Sequence, residues 1–174
     1  MIIEEEVLEN ARQLEESALS TLVKKSYPFV FRYLYYRSVT REDAEDLTSD
    51  VFVRVVNSIK GQKGYFPAWL ISIARNLLTD YYRKRGRLRE TSLDEVEEPF
   101  ADSDKNTKES LHPDDLRKML NFLTDEQKEV IILRFIEGNT NEEIAKVMNK
   151  SIGAIKALQF RALSALRVIL KKEG

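Results

Sequence analysis

Apolar residues recur at helical spacing through the C-terminal third of this 174-residue chain, and polar residues divide them into three short helices. Thr124 stands three positions before Gln127, and Thr140 stands three before Glu143. This spacing is typical of a capping box, in which each residue satisfies a backbone N–H near the other. Gly138 closes the helix between the two starts. The pattern therefore predicts two sharply bounded helix starts close together in the chain.

The two helices that follow Gly138 have the spacing of a helix-turn-helix. Ile144, Val147 and Met148 give the shorter helix a single apolar stripe. Asn149 takes the turn position, where a left-handed backbone has to be tolerated, and Ser151 can cap the next helix. That helix is predicted to bury Ile155, Leu158, Ala162, Leu166 and Ile169 and to expose Gly153, Ala157, Phe160, Arg161 and Ser164.

The exposed face of this last helix carries an aromatic ring and a cation, Phe160 and Arg161. A purely structural helix more often carries Glu and Lys there, as residues 141–146 do. A scaffold helix, a short turn and a longer helix with one exposed face form the arrangement that enters the major groove of DNA. Packing without a ligand is the alternative, but the pattern favours duplex DNA.

The N-terminal half has the same helical periodicity and predicts four more helices. They span about residues 4–24, 28–37, 40–59 and 67–85. Pro28 suits the first turn of the second helix, and Thr40 can cap the third. The chain has only six Gly and four Pro residues, so positions that break helices are few. We therefore expect an all-α fold.

The third of these helices carries an acidic stripe beside its apolar line. Asp43, Asp46 and Asp50 recur at spacings of three and four, so they share one face. This face is a candidate docking surface for a basic partner. A solvated face, with Asp50 and Arg54 as an internal ion pair, fits the periodicity equally well.

The fourth predicted helix divides into an apolar half and a polar half. A loop that contains Lys63, Tyr65 and Phe66 precedes it. Cations neutralise phosphates regardless of sequence, and exposed rings offer faces on which unpaired bases stack, so this segment suggests single-stranded or melted DNA. Phe66 and Trp69 fit equally well as core anchors. The polar half holds Trp69, Ser72, Arg75, Asn76, Thr79, Asp80 and Arg83, with Lys84 and Arg85 directly after it.

The sign of the charge reverses after this helix. Residues 75–89 hold six basic side chains and one acidic one, whereas residues 90–104 hold seven acidic side chains and no basic one. The acidic stretch lacks helical periodicity and contains Pro99, which is typical of a linker. We therefore expect two small helical domains, over residues 1–91 and 112–174, joined by a flexible acidic linker over residues 92–111.

Composition narrows the possible functions. The chain has no Cys, and its one His, His112, stands before Pro113, so we expect no metal site, no cofactor and no thiol or serine–histidine catalysis. No run of eighteen apolar residues occurs, and the acidic start lacks the features of a signal peptide. We therefore expect a cytoplasmic protein that does not insert into membranes.

Three segments together resemble bacterial RNA polymerase sigma factors. They are DAEDLTSDVFVRV at 43–55, AWLISIARNLLTDYYRKRGR at 68–87 and EEIAKVMNKSIGAIKALQFRAL at 142–163. Their order and spacing are similar to those of the extracytoplasmic-function (ECF) branch, which keeps only sigma domains two and four, joined by a linker. The resemblance covers nearly the whole chain.

The resemblance implies that residues 1–91 are sigma domain two, which docks on the core polymerase and recognises and melts the minus-ten element. The docking residues would be Asp43, Asp46, Asp50 and Phe52. The minus-ten residues would be Lys63, Tyr65, Phe66, Trp69, Ser72, Arg75, Asn76, Thr79, Arg83, Lys84 and Arg85.

Residues 112–174 would be sigma domain four, which reads the minus-thirty-five element through Ser151, Lys156, Ala157, Phe160 and Arg161. The chain departs from the family at Ala157 and Leu158, where Ser and Arg are commoner, and at Asn149, where Gly is frequent. Few hydrogen-bond donors therefore face outward. The partners implied are core RNA polymerase, promoter DNA as duplex and as melted non-template strand, and an anti-sigma factor.

The function implied is a sigma factor that directs polymerase to promoters and helps to open them, without being an enzyme. A stand-alone helix-turn-helix regulator is the alternative, but it leaves the aromatic loop and the striped helix unexplained. Acid–base catalysis by Asp43, Asp46 and Asp50 lacks a nearby His or a phosphate-binding Gly loop. A helical adaptor that binds no DNA is the remaining possibility.

Overall fold

Every regular element among the described residues is a helix, in agreement with the all-α prediction. The computed structural model describes residues 1–37, 40–91 and 113–173. The helices are α1 (Glu5–Arg12), α2 (Glu16–Tyr35), α3 (Arg41–Ser58), α4 (Phe66–Thr91), α5 (Pro113–Leu120), α6 (Asp125–Ile131), α7 (Asn141–Met148) and α8 (Ile152–Glu173). A 3₁₀ turn (Ile59–Gly61) follows α3, and a π-helical turn (Ile132–Ile136) follows α6.

The first helix ends earlier than the sequence predicts. Leu14 adopts a left-handed backbone (φ 61°) and separates α1 from α2, whereas Pro28 lies inside the continuous helix α2. The prediction of a helix start at Pro28 is therefore wrong. Leu22, Phe29 and Val30 are buried on both sides of the proline, so packing along the whole of α2 outweighs the single backbone hydrogen bond that proline removes.

The next two helices form close to their predicted positions. The side chain of Thr40 accepts a hydrogen bond of 3.0 Å from the Asp43 backbone N–H and caps α3, as predicted. Helix α4 continues to Thr91 instead of ending near residue 85. Lys84, Arg85 and Arg87 are residue types with high helix propensity, and they carry the helix past Gly86.

The helix caps and the turn predicted for the C-terminal half are confirmed. Both capping boxes form, and Asn149 has a left-handed backbone with φ 51°. Ser151 Oγ accepts a hydrogen bond of 3.1 Å from the Ala154 N–H at the start of α8. Helix α5 is an element that the sequence analysis did not predict; Pro113 begins it, and acidic residues lie in its first turn.

The two halves of the chain pack together through one continuous hydrophobic core. Helix α4 contacts α7, and α2 contacts the π-helical turn, so the helix-turn-helix rests against the N-terminal helices. The predicted acidic linker over residues 92–111 lies outside the described residues. None of the described helices is both long and apolar enough to cross a membrane.

Candidate nucleic-acid interface

The acidic stripe of α3 borders a groove of about 290 Å³ between α3 and α4. Asp46 and Asp50 are exposed there, and Arg54 and Lys84 also line the groove. Among the ion pairs of the described residues, none joins Asp50 to Arg54. The Asp50–Arg54 ion pair, the alternative explanation of the acidic stripe, is therefore not formed. The carboxylates of Asp46 and Asp50 both face solvent.

The other two residues predicted for this surface have structural contacts. Asp43 Oδ2 accepts hydrogen bonds from Thr40 Oγ1 at 2.7 Å and from the Tyr81 hydroxyl at 2.8 Å. Phe52 is only 7% exposed and stacks on Tyr27, with ring centroids 6.0 Å apart. Phe52, predicted as a docking residue, therefore packs its ring in the core and lies beneath the exposed carboxylates.

In the loop before α4, the aromatic rings divide between core and surface. Phe66 is 3% exposed, so it is a core anchor. Because a base cannot stack on this buried ring, the prediction of Phe66 as a direct DNA contact is corrected. Trp69 packs against Phe66 and stays half-buried, whereas Lys63 is exposed. Tyr65 lies half-buried at the edge of α7, and this burial raises the pKa of its hydroxyl.

A buried glutamine that the sequence analysis did not identify shapes this loop. Gln62 is 3% exposed, and its Oε1 accepts hydrogen bonds from Nε and Nη2 of Arg12 at 3.2 and 2.8 Å. Its Nε2 donates at 3.0 Å to the carbonyl of Gly64, which has a φ of 76°. No local sequence pattern indicates this role, because Arg12 is 50 positions away and only the fold brings it close to Gln62.

The polar stripe of α4 is present as predicted, but its residues differ in solvent exposure and in their hydrogen bonds within the chain. Asn76, Thr79, Arg83 and Lys84 are exposed. The hydroxyls of Ser72 and Thr79 donate to backbone carbonyls within the helix, which leaves their lone pairs free to accept. Arg85 is half-buried against the ring of Tyr81.

Arg75, at the centre of this stripe, is engaged by the other half of the chain. Its Nη2 donates to Glu129 Oε1 on α6 at 2.5 Å. Burial alone would lower the pKa of Arg75, but the charge of Glu129 and the hydrogen bond to it outweigh that effect and raise it. The predicted phosphate contact is therefore occupied by a carboxylate.

The recognition face of α8 is open. Phe160 is 74% exposed, and Lys156, Ala157 and Arg161 are exposed beside it. The opposite side packs into the core through Ile155, Leu158 and Ala162, as the helical pattern predicts. A rigid helix with a ring, a methyl group and two cations on its free face has the chemistry for contacts with phosphates, thymine methyl groups and guanine.

Two segments of the chain match described protein families in the order that the fold displays. Residues 22–88 match Sigma-70 region 2, and residues 119–168 match Sigma-70 region 4. The first match contains the acidic stripe, the aromatic loop and most of α4, and the second contains the helix-turn-helix. All the candidate site residues lie within the two matched segments.

Curated relatives match along nearly the whole chain. It is 39% identical to the ECF RNA polymerase sigma factor BldN of Streptomyces coelicolor, a match that covers 97% of this chain and 66% of BldN. It is 34% identical to SigE of Mycolicibacterium smegmatis, over 88% of this chain and 62% of SigE. The chain thus spans somewhat less than two thirds of these relatives. It is 30% identical to SigX of Bacillus subtilis, over 87% of this chain and 83% of SigX.

Solved structures of the same fold support the family match. The sigma factor RpoE of Bartonella quintana, in complex with the anti-sigma factor NepR, is 29% identical with a TM-score of 0.73, covering 87% of this chain and 96% of RpoE. CnrH, in complex with the cytosolic domain of CnrY, is 22% identical with a TM-score of 0.74, covers 97% of both chains, and shares the fold. The chain belongs to the sigma-70 family of RNA polymerase sigma factors, in the extracytoplasmic-function branch.

Proposed function

We propose that this chain binds core RNA polymerase, directs it to specific promoters and helps to open the promoter DNA. The observation that carries the proposal is that one chain has two separate surfaces whose chemistry suits DNA. The α4 stripe combines cations with half-buried rings, and α8 presents a groove-reading face. A stand-alone regulator needs only the second surface.

The acidic face of α3 is proposed to dock on the polymerase. Asp46 and Asp50 are its exposed carboxylates, and Asp43 beside them accepts hydrogen bonds from the side chains of Thr40 and Tyr81. Complementary charge mainly speeds encounter and fixes register, so this face would orient the subunit on a basic surface of the enzyme. Phe52 supports the face from within, through its packing on Tyr27.

The loop and stripe of α4 are proposed to hold the opened minus-ten strand. Extruding a base costs a few kcal/mol, and a pocket that binds the base offsets that cost. Tyr65 and Trp69 supply rings beside the cations, so opening would be driven by binding, without nucleotide hydrolysis by this chain. The set is Lys63, Tyr65, Trp69, Ser72, Arg75, Asn76, Thr79, Arg83, Lys84 and Arg85; Phe66 anchors it from the core.

The free face of α8 is proposed to read the minus-thirty-five element. Lys156 would contact phosphate, Arg161 would reach a guanine, and Ala157 and Phe160 would touch thymine methyl groups. Ser151 caps α8 and would stand at the end of the helix that enters the groove. Because few donors face outward, part of the selectivity would come from DNA shape.

The proposed division of labour follows the division of the sequence. Residues 1–91 would act as sigma domain two, residues 92–111 as the linker and residues 112–174 as sigma domain four. We further propose that the chain is a non-catalytic cytoplasmic subunit and that an anti-sigma factor controls it, as RpoE of Bartonella quintana is found with NepR.

Reconstituted transcription on a promoter library tests this function. The chain, mixed with bacterial core polymerase, is expected to initiate from a narrow set of promoters that share two spaced elements. Core polymerase alone serves as the control. Specific binding of the chain alone to a palindromic site, with no initiation when polymerase is added, would instead support the stand-alone regulator.

A further inference from the structure

A cavity of about 420 Å³ lies where α4, α6 and the segment just after α2 meet. It shares no lining residue with the groove beside the acidic stripe of α3. Its volume is that of a site for a small organic molecule. Two cations are among the residues that line it, which are Arg37, Leu78, Thr79, Tyr82, Asp125 and Lys128.

Arg37 is a buried cation with unused hydrogen-bonding capacity. Its side chain is only 8% exposed, and its Nη1 donates to the backbone carbonyl of Asp125 at 3.3 Å. Its Nε is also buried, yet it has no hydrogen-bond partner among the described residues. Because buried N–H groups are nearly always paired in folded proteins, this guanidinium has the chemistry to hold a further acceptor.

The carboxylates near Arg37 compensate its charge only in part. Glu129 lies 4.0 Å from Arg37 Nη1, but its other oxygen accepts at 2.5 Å from Arg75 and is therefore engaged elsewhere. Asp125 lies 4.0 Å from Arg37 Nη2, and its side chain is 92% exposed, so water weakens this attraction. Both distances are at the outer limit of an ion pair. Arg37 thus keeps positive charge at the cavity.

Lys128 places a second positive charge at the same cavity. Its Nζ donates at 3.1 Å to Oδ1 of Asn121, which is a neutral amide. Within the part of the chain that the structure describes, no ion pair includes Lys128. Burial lowers the pKa of Lys128, and the charge of Arg37 lowers it further, whereas Asp125 opposes the shift. A bound anion would relieve the repulsion between the two cations.

The rest of the lining fixes Arg37 and gives the cavity an apolar wall. The Tyr82 hydroxyl donates to the backbone carbonyl of Arg37 and so joins this residue to α4. The Tyr82 ring is 45% exposed, and the buried side chain of Leu78 lies one turn earlier on α4. Thr79 donates its hydroxyl to a backbone carbonyl, which leaves its lone pairs free to accept. Cations beside a ring suit a ligand that is both anionic and planar.

We propose that this cavity binds the phosphate group of a small molecule, held by Arg37 and Lys128, with a planar part of the molecule against Tyr82. Guanidinium and ammonium groups bind phosphate through charge-assisted hydrogen bonds, which are stronger than neutral ones. A small molecule fits the burial of Arg37 better than a continuous strand does. The DNA backbone offers the same phosphate chemistry, however, and Thr79 belongs to both the cavity and the α4 stripe. The test therefore separates the two sources.

Calorimetric titration of the full chain with ADP, at constant ionic strength, tests the site. Adenosine, which has the same planar part without the phosphates, is the control ligand. Lys128→Met removes the charge and keeps an apolar stem at a half-buried position. Lys118→Met is the matched control, because it removes the same charge at an exposed position on α5, outside the cavity. Lys128→Arg keeps a cation. A short oligothymidylate is titrated in parallel.

ADP is expected to bind one-to-one and adenosine about tenfold more weakly or not at all. Lys128→Met should weaken ADP binding about tenfold, whereas Lys118→Met should not change it and Lys128→Arg should retain most of it. ADP should also raise the melting temperature of the wild type while adenosine does not, a readout that needs no variant.

A loss confined to the oligothymidylate in Lys128→Met, with no binding of ADP, would assign the same phosphate site to the DNA backbone. The proposal is overturned if neither ligand loses affinity in Lys128→Met, or if Lys118→Met causes an equal loss. None of these outcomes depends on promoter opening, which is measured separately with core polymerase.

Discussion

Tyr81 donates a hydrogen bond of 2.8 Å from its hydroxyl to Oδ2 of Asp43 and so joins the C-terminal part of α4 to the first turn of α3. The same carboxylate oxygen accepts from Thr40 at 2.7 Å. Asp43 therefore belongs to the structure of the N-terminal half, whereas Asp46 and Asp50 on the same stripe face solvent. The three carboxylates of the stripe therefore differ: one is bonded within the N-terminal half and two are exposed to solvent.

This difference predicts separable effects of mutation on docking and stability. Asp46→Ala combined with Asp50→Ala is expected to weaken binding to core polymerase about tenfold or more, because exposed complementary charges are lost, with little change in Tm. Asp43→Ala is expected to cost about 1–2 kcal/mol of unfolding free energy through its two lost hydrogen bonds. A fluorescence titration of core polymerase and urea unfolding measure the two effects. Glu42→Ala, at an exposed neighbouring position, is the control.

The recognition helix predicts a difference between base reading and phosphate contact. Arg161→Ala is expected to weaken promoter binding by about 1–3 kcal/mol and to relax selectivity at one position near the minus-thirty-five element. Lys156→Ala should weaken binding to all sequences alike and reduce the salt dependence. Binding to a promoter and to scrambled DNA, compared across salt concentrations, separates the two; Arg167→Ala, also exposed on α8, is the control. Equal losses on promoter and scrambled DNA for Arg161→Ala would contradict base reading.

The loop before α4 predicts opposite consequences for two adjacent aromatic residues. Phe66 is buried, so Phe66→Ala is expected to cost about 3–5 kcal/mol of unfolding free energy. Tyr65→Ala should cost much less stability but weaken capture of the opened strand by about 1–3 kcal/mol, the usual value of one stacked base. Denaturant unfolding and binding to a pre-melted promoter fragment measure the pair. A larger stability loss for Tyr65→Ala than for Phe66→Ala would refute the assignment.

Buried tyrosines predict how stability changes at alkaline pH. Burial raises the pKa of Tyr33 from 10.0 to about 12, and burial together with the hydrogen bond to Asp43 raises that of Tyr81 to about 12. The folded chain keeps these protons where the unfolded chain loses them. Their contribution to stability is therefore complete below pH 10.0 and lost as the pH rises to about 12. Urea midpoints of the wild type and Tyr33→Phe should converge across that range; parallel curves would argue against it.

Sequence periodicity and capping chemistry predicted the helix-turn-helix closely, because its signals are local. Thr140 with Glu143, the left-handed Asn149 and the Ser151 cap all involve residues within a few positions of each other. The position of Pro28 inside α2 was not predictable in this way. There the deciding contacts come from α3 and α4, and local helix propensity is overridden by core packing.

The contact that covers Arg75 in the candidate site could not be predicted either, because its partner is distant in the sequence. Arg75 and Glu129 are 54 positions apart, and nothing in the local pattern around either residue indicates the other. Periodicity placed Arg75 correctly on the polar face of α4. It cannot tell whether water, DNA or a carboxylate from another helix occupies that face, since all three satisfy a cation.

The central claim is that this chain opens promoter DNA by holding the separated strand on α4. The most direct measurement is the fluorescence of 2-aminopurine placed in the minus-ten element of a responsive promoter, with core polymerase and without nucleotides. A rise in fluorescence is predicted for the wild type, with a much smaller rise for Tyr65→Ala combined with Trp69→Ala at saturating protein. An equal rise with core polymerase alone, or an undiminished rise with the double variant, would contradict the account.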